Sequence, residues 1–201
     1  MKILNLYAGI GGNRRYWGND HEITAVEYDP KIAAIYADRY PNDTVIVGDA
    51  HEYLLDHFEE YDFIWSSPPC QTHSSFRYNM HVRYHGTKPA YPDGKLFEEV
   101  VFLQTHYNGL YVVENVVPYY PVFLEPQRIN RHLYWANFEI GELPKINEQL
   151  RNAQIKDLQQ LHGVDLSNYK LPNTRQVLRN CVHGETGLAI LNKAIQHKGD
   201  N

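Results

Sequence analysis

The chain has 201 residues, 43% of them hydrophobic and 21% charged, and a net charge of −5. These values fit one globular α/β domain and exclude a protein that coats nucleic acid with its whole surface, because such proteins are strongly basic. No apolar run approaches the roughly 20 residues that a membrane span requires. The first residues lack the apolar stretch and cleavage site of a signal peptide. With two cysteines and no disulfide framework, a reducing cytoplasm is the expected location.

Apolar runs alternate with amphipathic stretches along the first half of the chain. Strands are predicted, in chain order, at residues 2–7, 22–27, 44–47, 62–65 and 110–114. Helices are predicted between them, at residues 13–18, 31–40, 51–58 and 95–107. This alternation predicts an α/β fold with a doubly wound, mostly parallel sheet and helices on both faces. The prediction is completed by a strand or hairpin near the sheet edge at 131–140, a weak helix at 149–161 and a closing helix at 188–197.

A glycine-rich turn follows the first predicted strand and contains Gly9, Gly11 and Gly12. Glycines at such a turn let the backbone approach a ligand closely. The next two strands end in the acidic residues Glu27 and Asp49. A carboxylate at position 27 could accept both ribose hydroxyls of a nucleoside cofactor, and one at position 49 could accept an adenine amino group. The alternative is a tight strand–helix connection that binds nothing.

Two further groups of residues end the fourth and fifth predicted strands. Pro68 and Pro69 hold the backbone extended and would present the thiol of Cys70, a candidate nucleophile. Glu114 is expected to lie beside that thiol, where it could hold or donate a proton. The alternatives are a small buried cysteine and a carboxylate that caps a strand end.

The segment after the cysteine, residues 71–92, is long and polar. It contains Arg77, Arg83 and Lys88 and no acidic residue. Long loops in compact domains are usually functional. In an acidic protein, these three cations are candidates for contacts with nucleic-acid phosphates, and the alternative is a solvated surface loop.

In this order, the elements resemble the DNA cytosine-5 methyltransferase family, the Dcm-like enzymes. The motifs that carry the resemblance are Tyr7-Ala8-Gly9-Ile10-Gly11-Gly12, Pro68-Pro69-Cys70-Gln71, Asp93-Gly94-Lys95-Leu96-Phe97-Glu98, Glu114-Asn115-Val116, Gln127-Arg128-Ile129-Asn130-Arg131 and Arg179-Asn180-Cys181-Val182. The match covers residues 1 to about 134 and again roughly 177 to 195. Ile129, Arg179 and Cys181 differ from the residues that the family has at those positions.

The resemblance implies a Rossmann-like methyltransferase fold with S-adenosyl-L-methionine as cofactor and no metal. By the same resemblance, the cofactor contacts are Tyr7, Gly9, Gly11, Gly12, Glu27, Asp49, Pro69, Leu96 and Asn180. The implied catalytic residues are Cys70, which adds to C6 of cytosine, Glu114, which contacts the ring N3 and the amino group, and Arg131, which steadies the O2 side. A stacked base is out of reach, so the target must be flipped out of the duplex or single-stranded.

One departure from the family is an absence. The family usually carries a large target-recognition domain between its last two motifs, whereas here only residues 137–173 separate them. We therefore expect a single catalytic domain over residues 1–201, with a minimal insertion at 137–173 and a short or degenerate target in DNA. A second subunit or a homodimer could supply the missing recognition. The expected location is the cytoplasm of a bacterium or a phage-infected host cell, with no membrane partner.

Three alternatives stay open. Because the catalytic core is shared with tRNA cytosine-5 methyltransferases, RNA could be the substrate. The chain could also be a non-catalytic nucleic-acid-binding subunit of a larger complex. Finally, the loop after the fourth strand could bind zinc, although the spacing of its four candidate ligands is loose: Cys70, His73, His81 and His85.

Overall fold

The computed structural model describes residues 1–145 and 153–200. The strands in this part of the chain are β1 Lys2–Leu6, β2 Glu22–Glu27, β3 Thr44–Val47, β4 Phe63–Ser66, β5 Leu110–Val116, β6 Gln127–Ile129 and β7 His132–Ala136. Together they form one sheet in the order β3-β2-β1-β4-β5-β7-β6. The first five strands are parallel, and β7 runs antiparallel to both of its neighbours.

Helices cover the two faces of the sheet. Over the described residues they are α1 Pro30–Arg39, α2 Ala50–His57, α3 Ser75–Arg77, α4 Lys95–His106, α5 Ile155–His162, α6 Thr174–Asn180 and α7 Gly184–Asp200. Two 3-10 helices, Asn13–Tyr16 and Phe58–Glu60, and a π-helix that continues α3, Tyr78–Tyr84, complete the set. Over the same residues, no helix has the length and apolar character needed to cross a bilayer.

The predicted doubly wound, mostly parallel sheet is confirmed. The predicted helix at 13–18 is instead the 3-10 helix Asn13–Tyr16, which packs closely against α7. The strand or hairpin expected over 131–140 is a hairpin of β6 and β7 that begins earlier, at Gln127, and ends at Ala136. Asn130, in its turn, has a positive φ of 55°. The helix predicted at 149–161 lies partly outside the described residues, and its described part contains most of α5.

The central strand β1 is buried on both faces, as expected for a strand in the middle of a parallel sheet. Leu4 and Leu6 pack with side chains of α2 and α4 on one face. Ile3 points to the other face, where it packs with Trp17 and with α7. Since both faces are covered, the carboxyl ends of the parallel strands provide the edge at which a ligand can reach the sheet.

The described part of segment 137–173 contributes to the protein core. Phe138 and Ile140 are buried in the cluster that contains α7. Leu158 and Leu166 pack against Ile10, which lies in the glycine-rich turn. These buried positions anchor the segment to the rest of the fold, while more than half of its described residues are exposed.

Gly187 allows α7 to approach the backbone of the 3-10 helix Asn13–Tyr16. A Cβ atom at position 187 would lie 2.1 Å from the carbonyl oxygen of Asn13. A backbone oxygen cannot rotate away, so one of the two helices would have to shift. We expect Gly187→Ala to lower the free energy of unfolding by about 1–3 kcal/mol, measured by urea denaturation.

Gly199 provides the control, because it lies in the same helix and a Cβ there would meet no atom within 4 Å. We expect Gly199→Ala to leave stability unchanged or to raise it by up to about 1 kcal/mol, since alanine favours the helix. Equal losses of stability in both variants would contradict the proposed role of the Gly187 contact.

Candidate active site

The turn after β1 borders open space beside Gly9 and is tightly packed beside Gly12. Gly9 and Gly11 have positive φ angles of 55° and 73°, in the left-handed region that favours glycine. A Cβ at position 9 would meet no atom within 4 Å, whereas one at position 12 would lie 2.4 Å from the carbonyl oxygen of Val182. The end of α1 supports the turn, because Tyr40 Oη donates a hydrogen bond of 2.7 Å to the Gly11 carbonyl. The segment after α6 therefore lies directly against the turn.

Glu27, at the carboxyl end of β2, faces this turn. Its two carboxylate oxygens each accept a backbone hydrogen bond of 2.9 Å, one from Gly9 and one from Asp29. Burial raises the pKa of Glu27, and these backbone donors oppose the shift. Each oxygen keeps a free lone pair, so Glu27 can still accept hydrogen bonds from ligand hydroxyls.

Asp49, after β3, has a partner that sequence reasoning missed. One carboxylate oxygen caps α2 by accepting a hydrogen bond of 2.9 Å from the His51 amide, and the other lies 2.9 Å from Lys95 Nζ. The hydrogen bond from Lys95 lowers the pKa of Asp49. A cofactor amino group at Asp49 would therefore share the carboxylate with the lysine.

These features fit a nucleoside cofactor. Two carboxylates end adjacent strands, and the space beside Gly9 is open. Tyr28, which sequence reasoning also missed, directly follows Glu27 and is 77% exposed, so it offers an aromatic face for stacking. A flat exposed aromatic after a strand-end carboxylate is the signal that could have identified it.

The other four predicted cofactor contacts differ in how far they are exposed. Pro69 is exposed in the loop after β4, and Asn180 is exposed at the end of α6. Leu96 is buried in the core among side chains of α2 and α4. The side chain of Tyr7 turns toward α4, where its hydroxyl donates to Glu99. The cofactor contacts of these four residues stay predictions.

The loop after β4 holds Cys70 in a defined position. Trp65 Nε1 donates to Ser67 Oγ over 2.8 Å, and Asn115 Nδ2 donates to the Pro68 carbonyl over 2.9 Å. The Cys70 carbonyl in turn accepts hydrogen bonds from the amides of residues 73 and 74. Hydrogen bonds thus hold the chain on both sides of Cys70, whose side chain is half-buried.

The structure brings Cys70 and Glu114 together at this sheet edge. Burial raises the pKa of the Cys70 thiol, and the nearby charge of Glu114 raises it further. Glu114 itself is only 8% exposed. Tyr134 pairs with Glu114 in the register of β5 and β7. Burial raises the pKa of Tyr134, and the charge of Glu114 raises it further. The thiol is therefore mainly protonated near neutral pH in the free protein.

His132, rather than Arg131, lies next to Glu114. The His132 Nε2 atom is 3.5 Å from Glu114 Oε1. Arg131 occupies the turn before β7, where it is exposed and its carbonyl accepts a hydrogen bond from the Val117 amide. The role of Arg131 at the cytosine stays a prediction, and His132 is a residue that the motif comparison gave no reason to select.

A cleft of about 390 Å³ opens at the thiol, and the residues lining it are Cys70, Gln71, Ser74, Arg77, His81, Thr87 and Gln176. Of the three predicted phosphate contacts, Arg77 lines this cleft, while Arg83 and Lys88 are exposed farther along the segment. Gln176 comes from α6, and its Oε1 accepts a hydrogen bond of 2.7 Å from Asn173 Nδ2. Sequence reasoning missed Gln176 because it lies outside the motifs.

The zinc alternative gains no support from the arrangement of side chains. His73 is fully buried, and its Nδ1 is hydrogen bonded to the hydroxyl of Tyr120. Within residues 1–145 and 153–200, no group of three or more His, Cys, Asp or Glu side chains is placed to hold a metal ion.

Comparison with known families adds the decisive observation. The sequence model of C-5 cytosine-specific DNA methylases matches residues 1–117, which include the glycine turn, Glu27, Cys70 and Glu114. The chain belongs to this family. It is therefore a cytosine C-5 methyltransferase by family, and S-adenosyl-L-methionine is its cofactor. A search of curated proteins gave no match.

Several solved structures are similar to this methyltransferase. A putative methyltransferase, yhhF, from Escherichia coli has 17% identity and a TM-score of 0.43, covering 67% of this chain and 73% of its own. A DNMT2 variant from Spodoptera frugiperda has 25% identity and a TM-score of 0.41, covering 57% of this chain and 35% of its own. A TehB-like SAM-dependent methyltransferase from Corynebacterium glutamicum has 16% identity and a TM-score of 0.38, covering 61% and 58%.

The electrostatic contact between Glu114 and Cys70 can be tested in the free methyltransferase. Glu114→Gln removes one of the two causes that raise the pKa of the thiol, while burial remains. We expect the curve of Cys70 alkylation rate against pH to move to lower pH, with several-fold faster reaction with iodoacetamide near neutral pH. Mass mapping of the cysteine peptides measures the rate at each thiol.

Cys181 is an internal control in the same sample. Burial raises its pKa to about 12, and the charge that affects it is Arg39 rather than Glu114. Its alkylation should not respond to Glu114→Gln. An unchanged curve at Cys70, or the same displacement at both cysteines, would contradict the contact.

Proposed function

We propose that this protein methylates C5 of cytosine in DNA through a covalent adduct with Cys70, at a short or degenerate target sequence. The observation that carries the proposal is the hydrogen bond from Asn115, the residue after Glu114, to the Pro68 carbonyl. It brings the Cys70 loop and Glu114 to the sheet edge that also holds the glycine turn and Glu27. We also propose that residues 1–201 act as one catalytic domain, in the cytoplasm of a bacterium or a phage-infected host cell.

Cytosine C5 is a weak nucleophile until a second nucleophile adds at C6. The thiol of Cys70 gives its proton to Glu114, and the sulfur forms a bond to C6. Glu114 passes this proton to the ring N3, which takes up the electron pair displaced from the C5–C6 double bond. The low exposure of Glu114 strengthens its hydrogen bonds to N3 and to the amino group. His132 lies next to this carboxylate on its solvent side.

When bound, S-adenosyl-L-methionine supplies the methyl group that the activated C5 accepts. The glycine turn, Glu27 and Asp49 hold the cofactor at the edge that also carries Cys70. A solvent water takes the C5 proton, and the C5–C6 double bond re-forms as the bond between Cys70 sulfur and C6 breaks with its electron pair going to sulfur. The N3 proton returns through Glu114 to the departing thiolate, which restores the aromatic ring and the thiol. The chain thus supplies the nucleophile, the proton carrier and the alignment.

The target base must leave the helical stack to reach Cys70. The cleft at the thiol has room for a base, and Arg77 and Gln176 lie on its walls. Arg77, Arg83 and Lys88 contact phosphates, which orient the duplex without reading its sequence. Arg131 remains the candidate for the O2 side of the cytosine, and it would reach it only by moving from its exposed position.

The proposed chemistry predicts covalent capture of a mechanism-based substrate. With 5-fluorocytosine in the target, the fluorine cannot leave C5 as a proton does, so the adduct with Cys70 should persist. We expect the wild-type protein and cofactor to form a denaturation-resistant complex with duplex DNA. Cys70→Ala should lose capture and turnover completely, while its affinity for S-adenosyl-L-methionine stays within about twofold because Cys70 is not a cofactor contact.

The same assay, with fluorocytosine placed in a tRNA, separates the alternatives. Capture with tRNA alone would favour the RNA substrate and overturn DNA as the target. Methylation that survives in Cys70→Ala would contradict the thiol mechanism. Absence of both capture and methylation, in a protein that binds nucleic acid, would favour the non-catalytic subunit.

The shortness of the segment between the last two motifs predicts a short target. Even a small DNA-binding module buries about 600–1,000 Å² of protein surface, and residues 137–173 also anchor the fold through side chains in the core. We expect methylation of mixed-sequence DNA at cytosines defined by at most one neighbouring base. Affinity should fall steeply with salt, because phosphate contacts dominate. Bisulfite-type sequencing of the product DNA gives the sequence context.

The mass of the protein in solution decides how that result is interpreted. A monomer that methylates only a site of about four or more defined bases would contradict the prediction. The same specificity in a dimer would instead support recognition supplied by the second copy.

A further inference from the structure

Glu99, on α4, is a fully buried carboxylate that the proposed chemistry does not use. Its Oε1 accepts a hydrogen bond of 2.5 Å from Tyr7 Oη and lies 3.0 Å from His51 Nδ1. Its Oε2 accepts a hydrogen bond of 2.6 Å from Ser66 Oγ. A buried carboxylate is costly unless it is paired, so these three contacts fix the positions of its partners as well as its own.

The partners of Glu99 begin two different loops. Tyr7 is the first residue after β1 and opens the glycine turn, and it has a positive φ of 54°, which is unusual for an aromatic residue. Ser66 is the last residue of β4 and opens the loop that carries Cys70. Each oxygen of one carboxylate therefore holds the start of one loop.

The third partner of Glu99 is His51. His51 lies in α2, two residues after Asp49, and its hydrogen bond with Glu99 raises the pKa of His51. The contact with Glu99 therefore favours the protonated form of His51. The other charged neighbours of His51 are Glu98, with Oε2 at 3.3 Å from its Nε2, and Lys95.

We infer that Glu99 is a positioning residue with two separable effects. Through Tyr7, its Oε1 holds the glycine turn in the conformation that binds the cofactor. Through Ser66, its Oε2 holds the loop that orients the Cys70 thiol. The first effect follows from the family's cofactor alone, and the second rests on the proposed function of Cys70.

Two single-hydroxyl deletions test the two effects separately. Tyr7→Phe removes the contact to Oε1 and should weaken S-adenosyl-L-methionine binding about tenfold, measured by calorimetry without DNA. In the cofactor-free protein, hydrogen exchange at the amides of Gly9 and Gly11 should be faster. Ser66→Ala should leave both readouts within about twofold of wild type.

Measurements on the loop that carries Cys70 are expected to show the opposite pattern. Ser66→Ala should slow fluorocytosine capture several-fold at saturating cofactor, and it should change the rate of Cys70 alkylation in the free protein. Tyr7→Phe should leave both rates near wild type. Glu99→Gln, which removes the charge and one acceptor oxygen, should impair cofactor binding and Cys70 reactivity together.

Glu98 offers a matched control on the same helix. Its side chain is 65% exposed and contacts His51, but it contacts neither Tyr7 nor Ser66. Glu98→Gln should therefore stay near wild type in both sets of measurements. Thermal unfolding of all four variants shows whether a change in cofactor binding or Cys70 reactivity occurs without a loss of stability.

Two results would overturn the inference. One is that Tyr7→Phe and Ser66→Ala shift cofactor binding and Cys70 reactivity in equal proportion, as a general loss of stability would. The other is that Glu99→Gln behaves like Glu98→Gln. If wild-type protein captures no fluorocytosine, the proposed function fails, while the cofactor affinities and the alkylation rates still decide the role of Glu99.

Discussion

The hydrogen bond from Asn115 Nδ2 to the carbonyl of Pro68 ties the end of β5 to the loop that carries Cys70. Pro68 and Pro69 have no amide hydrogen, so the stretch just before Cys70 offers no backbone donor at these two positions. Asn115 is buried, and it directly follows Glu114. One contact therefore fixes both the thiol loop and the carboxylate that raises the pKa of the thiol. The bond thus joins the two elements that carry Cys70 and Glu114.

Features that depend on local patterns were predictable from the sequence. The strand Glu22–Glu27 matches its predicted bounds, because three of its six residues, Ile23, Thr24 and Val26, are β-branched and the flanking residues favour turns. The meeting of Glu27, Asp49, Cys70 and Glu114 at one edge followed from parallel pairing, which brings the carboxyl ends of strands together. These predictions required only the order of strands and helices.

Features that depend on contacts between distant residues were not predictable. The hydrogen bond between Tyr7 and Glu99 joins residues 92 positions apart, and no spacing rule connects them. The position of Arg131 depends on the register of the β6–β7 hairpin, where Asn130 adopts a left-handed turn and His132 pairs opposite Val116. A shift of one residue exchanges the two faces of a strand, so a motif aligned by sequence cannot decide which side chain faces Glu114.

The short segment between the last two motifs has a structural task that limits its part in recognition. Leu158 and Leu166 pack against Ile10, and Arg39, near the end of α1, donates hydrogen bonds to the carbonyl oxygens of both Ile10 and His162. The described residues of this segment thus pack against the glycine turn at Ile10, while Glu99 of α4 holds Tyr7 at the start of the turn. The side chains that support the cofactor turn cannot also reach into a DNA groove. Base contacts are then left to exposed residues, among them the segment after Cys70 and Gln176 of α6, or to another chain.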